Sequence, residues 1–274
     1  NIAPSFNAPA DITIYTDAEC NYDESITITG DVTNEADNCS TNIEASFVDV
    51  VTDGSCEGTH IISRTWSLVD NCGNAAADQI QTITILDNIA PSFTAPVDIT
   101  IYTDDDCAFD ASVEFTGDVT NEADNCSSDI EATFTDLDTL ALTGCEGGLI
   151  IRRKWSLVDK CANEAVDQIQ TITVSDNIAP SFNAPADITI YTDADCNYDE
   201  SITITGDVTN EADNCSTIIE ASFVDVVTDG SCEGTHTIAR TWSLVDKCGN
   251  AAADQVQTIT VLDTIIPSFT APVD

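Results

Sequence analysis

RTWSLVDNCGN, residues Arg64 to Asn74, decides how the chain is to be read. It returns as RKWSLVDKCAN from Arg153 and as RTWSLVDKCGN from Arg240. Its first half, Arg64 to Val69, alternates bulky and small polar side chains, as a half-buried strand does. Its second half, Asp70 to Asn74, is made of turn formers. All seven basic residues (Arg64, Arg152, Arg153, Lys154, Lys160, Arg240, Lys247) lie in this stretch or one residue before it, and so do all three tryptophans.

Everything else repeats in step with this stretch. NIAPSFNAPADITIYTDAEC at Asn1 matches NIAPSFTAPVDITIYTDDDC at Asn88 and NIAPSFNAPADITIYTDADC at Asn177. The chain therefore reads as repeats 1–87, 88–176 and 177–263, followed by the start of a fourth over 264–274, a window on a longer array. The cysteine ladder keeps this register: the first two of each copy are 19 apart and the last two 16 apart, while the middle gap is 17, 19 and 17. The two extra residues of the second copy lie in DLDTLALTG from Asp136.

Composition narrows the class. Forty-nine acidic against seven basic residues give a formal charge of −42 on a chain that is still 42% hydrophobic. The Ile, Val, Phe and Trp needed for a core recur in alternating runs, so the chain is expected to fold. The charge repels nucleic acid and anionic membranes, and self-repulsion opposes the compact state unless cations bind. A divalent cation is thus the first expected partner. Twelve cysteines without a Cys-x-x-Cys pair indicate disulfides made in an oxidising compartment, hence an extracellular or cell-surface protein. No stretch has the apolar length that spans a bilayer, and no charged-then-apolar leader stands at the start, so any signal or anchor is expected outside this segment.

Ile12 and Ile14, then Ile26 and Ile28, alternate with threonines, which is β patterning. Strands are expected near 10–16, 25–32, 43–51, 59–69 and 78–87 of the first copy, with a short extra one near its beginning. Short strands, Pro at the entry and Asn/Asp/Gly turns predict an all-β fold, tandem immunoglobulin-like β-sandwiches in an extended rod. Alternating strand directions put Cys20 and Cys56 at one end of a repeat and Cys39 and Cys72 at the other. This predicts Cys20 bonded to Cys56 and Cys39 to Cys72, although four cysteines allow three connectivities. The same assignment pairs Cys107 with Cys145, Cys126 with Cys161, Cys196 with Cys232 and Cys215 with Cys248.

The entry DNIAPSF from Asp87, the strand ADITI from Ala10, the loop ADNCS from Ala36 and the run TWSLVDNCGN followed by TITILD resemble the hyalin repeat. HYR and HYR-like modules are strung along large bacterial surface proteins, especially of the Bacteroidota. The resemblance covers every copy and implies an immunoglobulin-like fold with an adhesive or spacer role rather than catalysis. The chain departs from the usual pattern in lacking a Cys after the entry Pro and in having Cys56 and a Trp, so the disulfide expectation rests on the loop argument alone.

Calcium is the expected ion, because hard oxygen donors gather at the end carrying Cys39 and Cys72. In the first copy these are Asp37, Asn38, Asp70 and Asn74. At the first junction the preceding copy adds its last residues, giving Asp87, Asn88, Asp124, Asp159 and Asn163. At the second they are Asp176, Asn177, Asp213, Asp246 and Asn250. Glu35, Glu122 and Glu211 are further candidate ligands. The competing reading makes these residues turn formers and caps that need no ion. Only Asn-Ile-Ala-Pro separates Asp87 from the next copy, so the linker is short and stiff, with each copy adding roughly 35 to 45 Å.

Arg64, Arg153 and Arg240 are read as cross-strand partners of carboxylates with their stems on apolar surface, and Trp66, Trp155 and Trp242 as core. His60 and His236 correspond, but the second copy has Leu149 there, so no histidine site is shared by all copies. With no P-loop, nucleotide fingerprint or H-E-x-x-H, no enzyme is expected. Asn38, Asn125 and Asn214 begin Asn-Cys-Ser acceptor sequons, and Asp138-Thr139-Leu140 and Asp263-Thr264-Ile265 resemble the Bacteroidota O-glycosylation signal. The expected role is a non-catalytic segment of a filament, stalk or adhesin. Its partners are neighbouring repeats, other filament chains or surface glycans; the alternative is modules that themselves bind a glycan or surface ligand.

Overall fold

The computed structural model describes residues 2–270. In the first repeat the elements are β1 (Ser5–Asn7), β2 (Ile12–Tyr15), the helical turn α1 (Ile26–Thr29), β3 (Thr33–Ala36), β4 (Ser46–Asp53), β5 (His60–Ser67) and β6 (Gln79–Leu86). The second repeat has β7 (Ser92–Thr94), β8 (Ile99–Tyr102), α2 (Val113–Thr116), β9 (Thr120–Ala123), β10 (Thr133–Ala141), β11 (Leu149–Ser156) and β12 (Gln168–Ser175). The third has β13 (Ser181–Asn183), β14 (Ile188–Tyr191), α3 (Ile202–Thr205), β15 (Thr209–Ala212), β16 (Ser222–Asp229), β17 (His236–Ser243) and β18 (Gln255–Leu262). The fold is thus nearly all-β. Of the fourth-repeat start, residues 271–274 lie outside the described residues, and 264–270 form no strand.

Every repeat has a four-stranded sheet, ordered β2-β6-β5-β4 in the first, and a two-stranded one, β1-β3 in the first. The β4-β5-β6 ladder is antiparallel, and β2 joins its edge parallel to β6. The chain folds as two compact units, one of Asn1–Val97, Gly117–Asp136 and Arg153–Gln170, the other of Asp98–Thr116, Leu137–Arg152 and Thr171–Asp274. Each holds one whole repeat and part of the second, so neither unit is a repeat alone.

Residues 25–32 are not a strand. Ile26–Thr29 form a helical turn that ends at Gly30, whose φ is +91° and whose added Cβ would meet the Pro9 ring at 3.2 Å. The alternating Ile-Thr pattern favours a strand, but tertiary contacts override it. The turn buries Thr29, whose hydroxyl donates to the Ser25 carbonyl (3.0 Å) and accepts from Arg64 Nη1 (2.7 Å), while its carbonyl accepts from Gln81 (2.7 Å).

Those contacts belong to a polar belt through the core. Ile14, Ile62, Ile83 and Ile85 pack together on one side of it, and Phe6, Trp66 and Leu68 on the other. Between them Arg64, 1% exposed, sits opposite Gln81, 0% exposed. Arg64 grips its cross-strand neighbour Asp49 with Nε and Nη2 (both 2.8 Å), gives Nη2 to the Glu24 carbonyl (2.8 Å) and lies 4.1 Å over the Phe47 ring. The bidentate pair recurs as Arg153–Asp136 and Arg240–Asp225. The arginines are therefore cross-strand partners of carboxylates, and Trp66, Trp155 and Trp242, each 1% exposed, are core. Gln79 ties β6 to the entry strand, donating to the Phe6 carbonyl (2.7 Å) and accepting from Ala8 N–H (3.0 Å).

Candidate metal centre and disulfide joint

Two joints, one in each compact unit, connect consecutive repeats. The turn after β2 presents Cys20 and the loop between β4 and β5 presents Cys56, both at the end of the first repeat that faces the second. Cys20 is bonded to Cys126, in the loop after β9, and Cys56 to Cys161, in the turn after β11. In the other unit Cys107 bonds Cys215 and Cys145 bonds Cys248. None of the expected pairs inside one repeat, Cys20–Cys56, Cys39–Cys72, Cys107–Cys145, Cys126–Cys161, Cys196–Cys232 and Cys215–Cys248, is formed. The assignment of cysteines to ends holds. Partners lie across the linker rather than within an end, because the short linker presses that end against the next repeat. Cys39, Cys72, Cys196 and Cys232 are unbonded and exposed.

Local geometry readies each bridge. Cys20 has a φ of +60°, and its N–H donates to the Asp17 carbonyl (3.0 Å). Gly58, at φ +77°, leaves the space the bridge occupies: a Cβ there would stand 2.5 Å from Cys20 Sγ and 2.7 Å from Cys126 Cβ. Beside the bridges Glu57 accepts from Ser128 Oγ (2.7 Å), Ser128 N–H (3.1 Å) and Lys160 Nζ (2.7 Å). These bonds hold its carboxyl well below the usual carboxylate range, at about 2, with Lys160 the largest cause. Glu146, with Thr217 and Lys247, repeats the arrangement, also at about 2.

Carboxylates converge on the same joint. Oxygens of Asp87, Asp124 and Asp159 lie within 4.8 Å of one another, as do those of Asp176, Asp213 and Asp246. Each side chain is oriented by hydrogen bonds. Asp87 Oδ1 accepts from Thr16 Oγ1 (3.3 Å), Ile89 N–H (3.1 Å) and Asn125 Nδ2 (3.2 Å). Asp124 Oδ2 accepts the N–H groups of Cys126 (3.0 Å) and Ser127 (2.7 Å). Asp159 Oδ1 accepts those of Cys161 (2.8 Å) and Asn163 (2.7 Å), and its Oδ2 takes Asn163 Nδ2 (2.7 Å). Three oxygens are left buried without a hydrogen-bond partner: Asp87 Oδ2, Asp124 Oδ1 and Asn125 Oδ1. Asp176 Oδ2, Asp213 Oδ1 and Asn214 Oδ1 repeat the set.

Buried oxygens without donors are costly, and three carboxylates at this spacing repel by at least ~3 kcal/mol per pair at an effective dielectric of 20. A hard cation removes both costs. Oxygens within 4.8 Å of one another suit one centre with ligand distances of about 2.3 to 2.6 Å, the range of calcium.

Of the predicted ligands, Asp87, Asp124 and Asp159 come together, as do Asp176, Asp213 and Asp246. Asn163 and Asn250 brace the aspartates and donate to the carbonyls of Asp87 (3.3 Å) and Asp176 (3.1 Å). Among the described residues Asn88 and Asn177 make no hydrogen bond to either cluster. The asparagine of each joint is instead Asn125 or Asn214, whose Nδ2 also reaches the carbonyl of Asp17 or Asp104 (both 2.9 Å). The signal was present, since ADNCS puts Asn125 in register with Asn38. Glu35, Glu122 and Glu211 accept the N–H groups of Ala45, Ala132 and Ala221, pinning the loop rather than facing the cluster. In the first repeat Asp37 and Asp70 form the same half-site. Asp37 is held below the usual range by Cys39 and Ser40 N–H groups, and Asp70 by Asn74. Among the described residues, no helix is long and apolar enough to cross a membrane.

No protein-family profile matches the chain, and no curated protein matches it. Among solved structures, Drosophila N-cadherin EC1-3 is similar at 10% identity over 94% of this chain and 99% of that one, with a TM-score of 0.30. The titin I-band fragment I67-I69 gives 7%, 97%, 100% and 0.28 in the same order. The sialic acid binding region of a Streptococcus sanguinis SK1 adhesin gives 10%, 96%, 78% and 0.18. At these scores the likenesses carry no argument about function.

Proposed function

We propose that the chain is a non-catalytic structural segment of a long extracellular filament, stalk or adhesin, in which each repeat is stapled to the next by two disulfides around a calcium ion. The observation that carries this reading is the joint itself. Two cross-repeat bonds flank a cluster whose buried oxygens lack donors, and the arrangement occurs twice. Four disulfides point to an oxidising compartment, and the hyalin-repeat resemblance agrees with a surface location.

In this reading Asp87, Asp124, Asn125 and Asp159 hold one ion and Asp176, Asp213, Asn214 and Asp246 the other, neutralising part of the −42 charge. The ions and staples stiffen an extended array of the repeats 1–87, 88–176 and 177–263. Isothermal titration of chelator-treated chain with calcium tests it. Two sites per chain, lost one at a time in Asp124→Asn and Asp213→Asn, are expected. Failure to bind calcium at millimolar concentration overturns the ion's part in the proposal. A sialylated or neutral glycan array probed with the same chain tests the adhesin alternative.

A further inference from the structure

YTDDDCAFD, Tyr102 to Asp110, recurs as YTDAECNYD from Tyr15 and as YTDADCNYD from Tyr191. Each copy sets two rings and two aspartates around one turn. In the second repeat Asp104 Oδ1 accepts the N–H groups of Asp106 (3.0 Å) and Ala108 (2.8 Å), and Asp110 Oδ1 accepts that of Ser112 (2.8 Å). Asp17 with Asp23, and Asp193 with Asp199, make the same bonds. In the third repeat these bonds hold both carboxyls below the usual range, Asp193 chiefly through the Asn197 N–H and Asp199 chiefly through Ser201. The aspartates are thus anionic and fixed in place.

Beside this turn lies a cavity of about 470 Å³, lined by Tyr102, Asp104, Phe109, Asp110 and, from α2, Phe115. Its counterpart in the third repeat, about 440 Å³, is lined by Tyr191, Asp193, Tyr198 and Asp199. Phe115 is the difference, because Ile28 and Ile204 stand at its place in the other copies. Tyr102, Phe109 and Phe115 are 54, 41 and 62% exposed, so three apolar ring surfaces meet water around one opening. Among the described residues no Lys, Arg or His lines either cavity.

The chain's own side chains show what a ring and a carboxylate hold together. Arg153 lies 4.1 Å over the Phe134 ring while Asp136 grips it (2.8 and 3.1 Å), and Arg64 and Arg240 lie over Phe47 and Phe223 in the same way. The cavity offers that chemistry with no cation of the chain to fill it. An anion is repelled by Asp104 and Asp110. A bare metal ion takes oxygen ligands and gains nothing from ring faces, and a purely apolar ligand leaves the carboxylate charge uncompensated. A primary ammonium is strongly hydrated and keeps its water in an open site. A quaternary ammonium, cationic but clad in methyl groups, is satisfied by ring faces with a carboxylate nearby. We propose that Tyr102, Phe109 and Phe115, with Asp104 and Asp110, form a binding site for a free quaternary ammonium solute such as choline. The third repeat carries a weaker, two-ring version.

Titration of the full chain with choline chloride, followed by NMR of the aromatic side chains, tests it. Tyr102, Phe109 and Phe115 are expected to shift saturably at roughly millimolar choline. The neutral tert-butyl isostere of choline, Nα-acetyl-lysine amide, and phosphocholine, whose phosphate meets the same carboxylates, are each expected to bind at least about five-fold more weakly. Phe115→Ile installs the residue of the other two repeats, and Asp110→Asn keeps an oxygen for the Ser112 N–H. Each is expected to weaken choline binding about two- to five-fold. Circular dichroism matching the parent shows that neither substitution unfolds the chain. Absence of a saturable shift of these rings overturns the inference. So does equal binding of the isostere, the lysine derivative or phosphocholine, or choline binding that both substitutions leave unchanged.

Discussion

Replacing Cys20 and Cys126 together by serine removes one staple of the first joint and leaves Cys56–Cys161 in place. The bond spans 106 residues of sequence, but the surviving bridge already shortens the path in the unfolded chain to about 70 residues, for which loop closure amounts to about 4 kcal/mol. A unit of this size loses roughly 2 to 4 °C of Tm per kcal/mol, so a fall of about 8 to 16 °C is expected in the transition containing this joint. Calorimetry reads it. Counting reactive thiols in denaturant without reductant separates this from the alternative wiring: the double variant is expected to expose as many thiols as the parent chain. If the pairs lay within repeats, Cys56 and Cys161 would lose their partners and two more thiols would appear. A Tm within about 2 °C of the parent, less than 1 kcal/mol on the same scale, or those two extra thiols, refutes the reasoning.

Replacing Arg64 by Met leaves Asp49 partly buried without its bidentate partner and the Glu24 carbonyl without a donor, and is expected to cost about 3 to 5 kcal/mol in urea titration. Gly58→Ala puts a Cβ against the Cys20–Cys126 bridge at a positive φ, so peptide mapping should find that bond missing or only part-formed while Cys107–Cys215 stays complete. Glu57 has its carboxyl lowered from 4.5 to about 2. The joint's stabilisation by this group is therefore full above pH 4.5 and fades as pH falls toward 2. NMR titration should place Glu57 near 2, and Lys160→Met should move it back up. Calcium at a hundred times its Kd should add about 2.7 kcal/mol per site, read as a chelator-sensitive rise in Tm.

Much of the fold was legible because repetition and alternation both point to β structure. The strands near 10–16, 43–51, 59–69 and 78–87 appear as Ile12–Tyr15, Ser46–Asp53, His60–Ser67 and Gln79–Leu86. Local patterning failed at Ile26–Thr29, where Arg64 and Gln81, distant in sequence, require a helical turn. The polar belt is half visible in the sequence: alternation puts the Arg64 stem on apolar surface, but nothing local says that Gln81 reaches the Thr29 carbonyl. The aspartates of the cluster could be named because a short linker must deliver Asp87 to the next repeat. The disulfides could not, because one ladder of cysteines is compatible with pairing inside a repeat and with pairing one repeat out of step. Only the facing of ends across the linker distinguishes them.

Bonds that cross from one repeat to the next hold the joints, and non-reducing peptide mapping of the oxidised chain tests them most directly. The expected bridges are Cys20–Cys126, Cys56–Cys161, Cys107–Cys215 and Cys145–Cys248. Finding Cys20 bonded to Cys56 and Cys126 to Cys161 would contradict it.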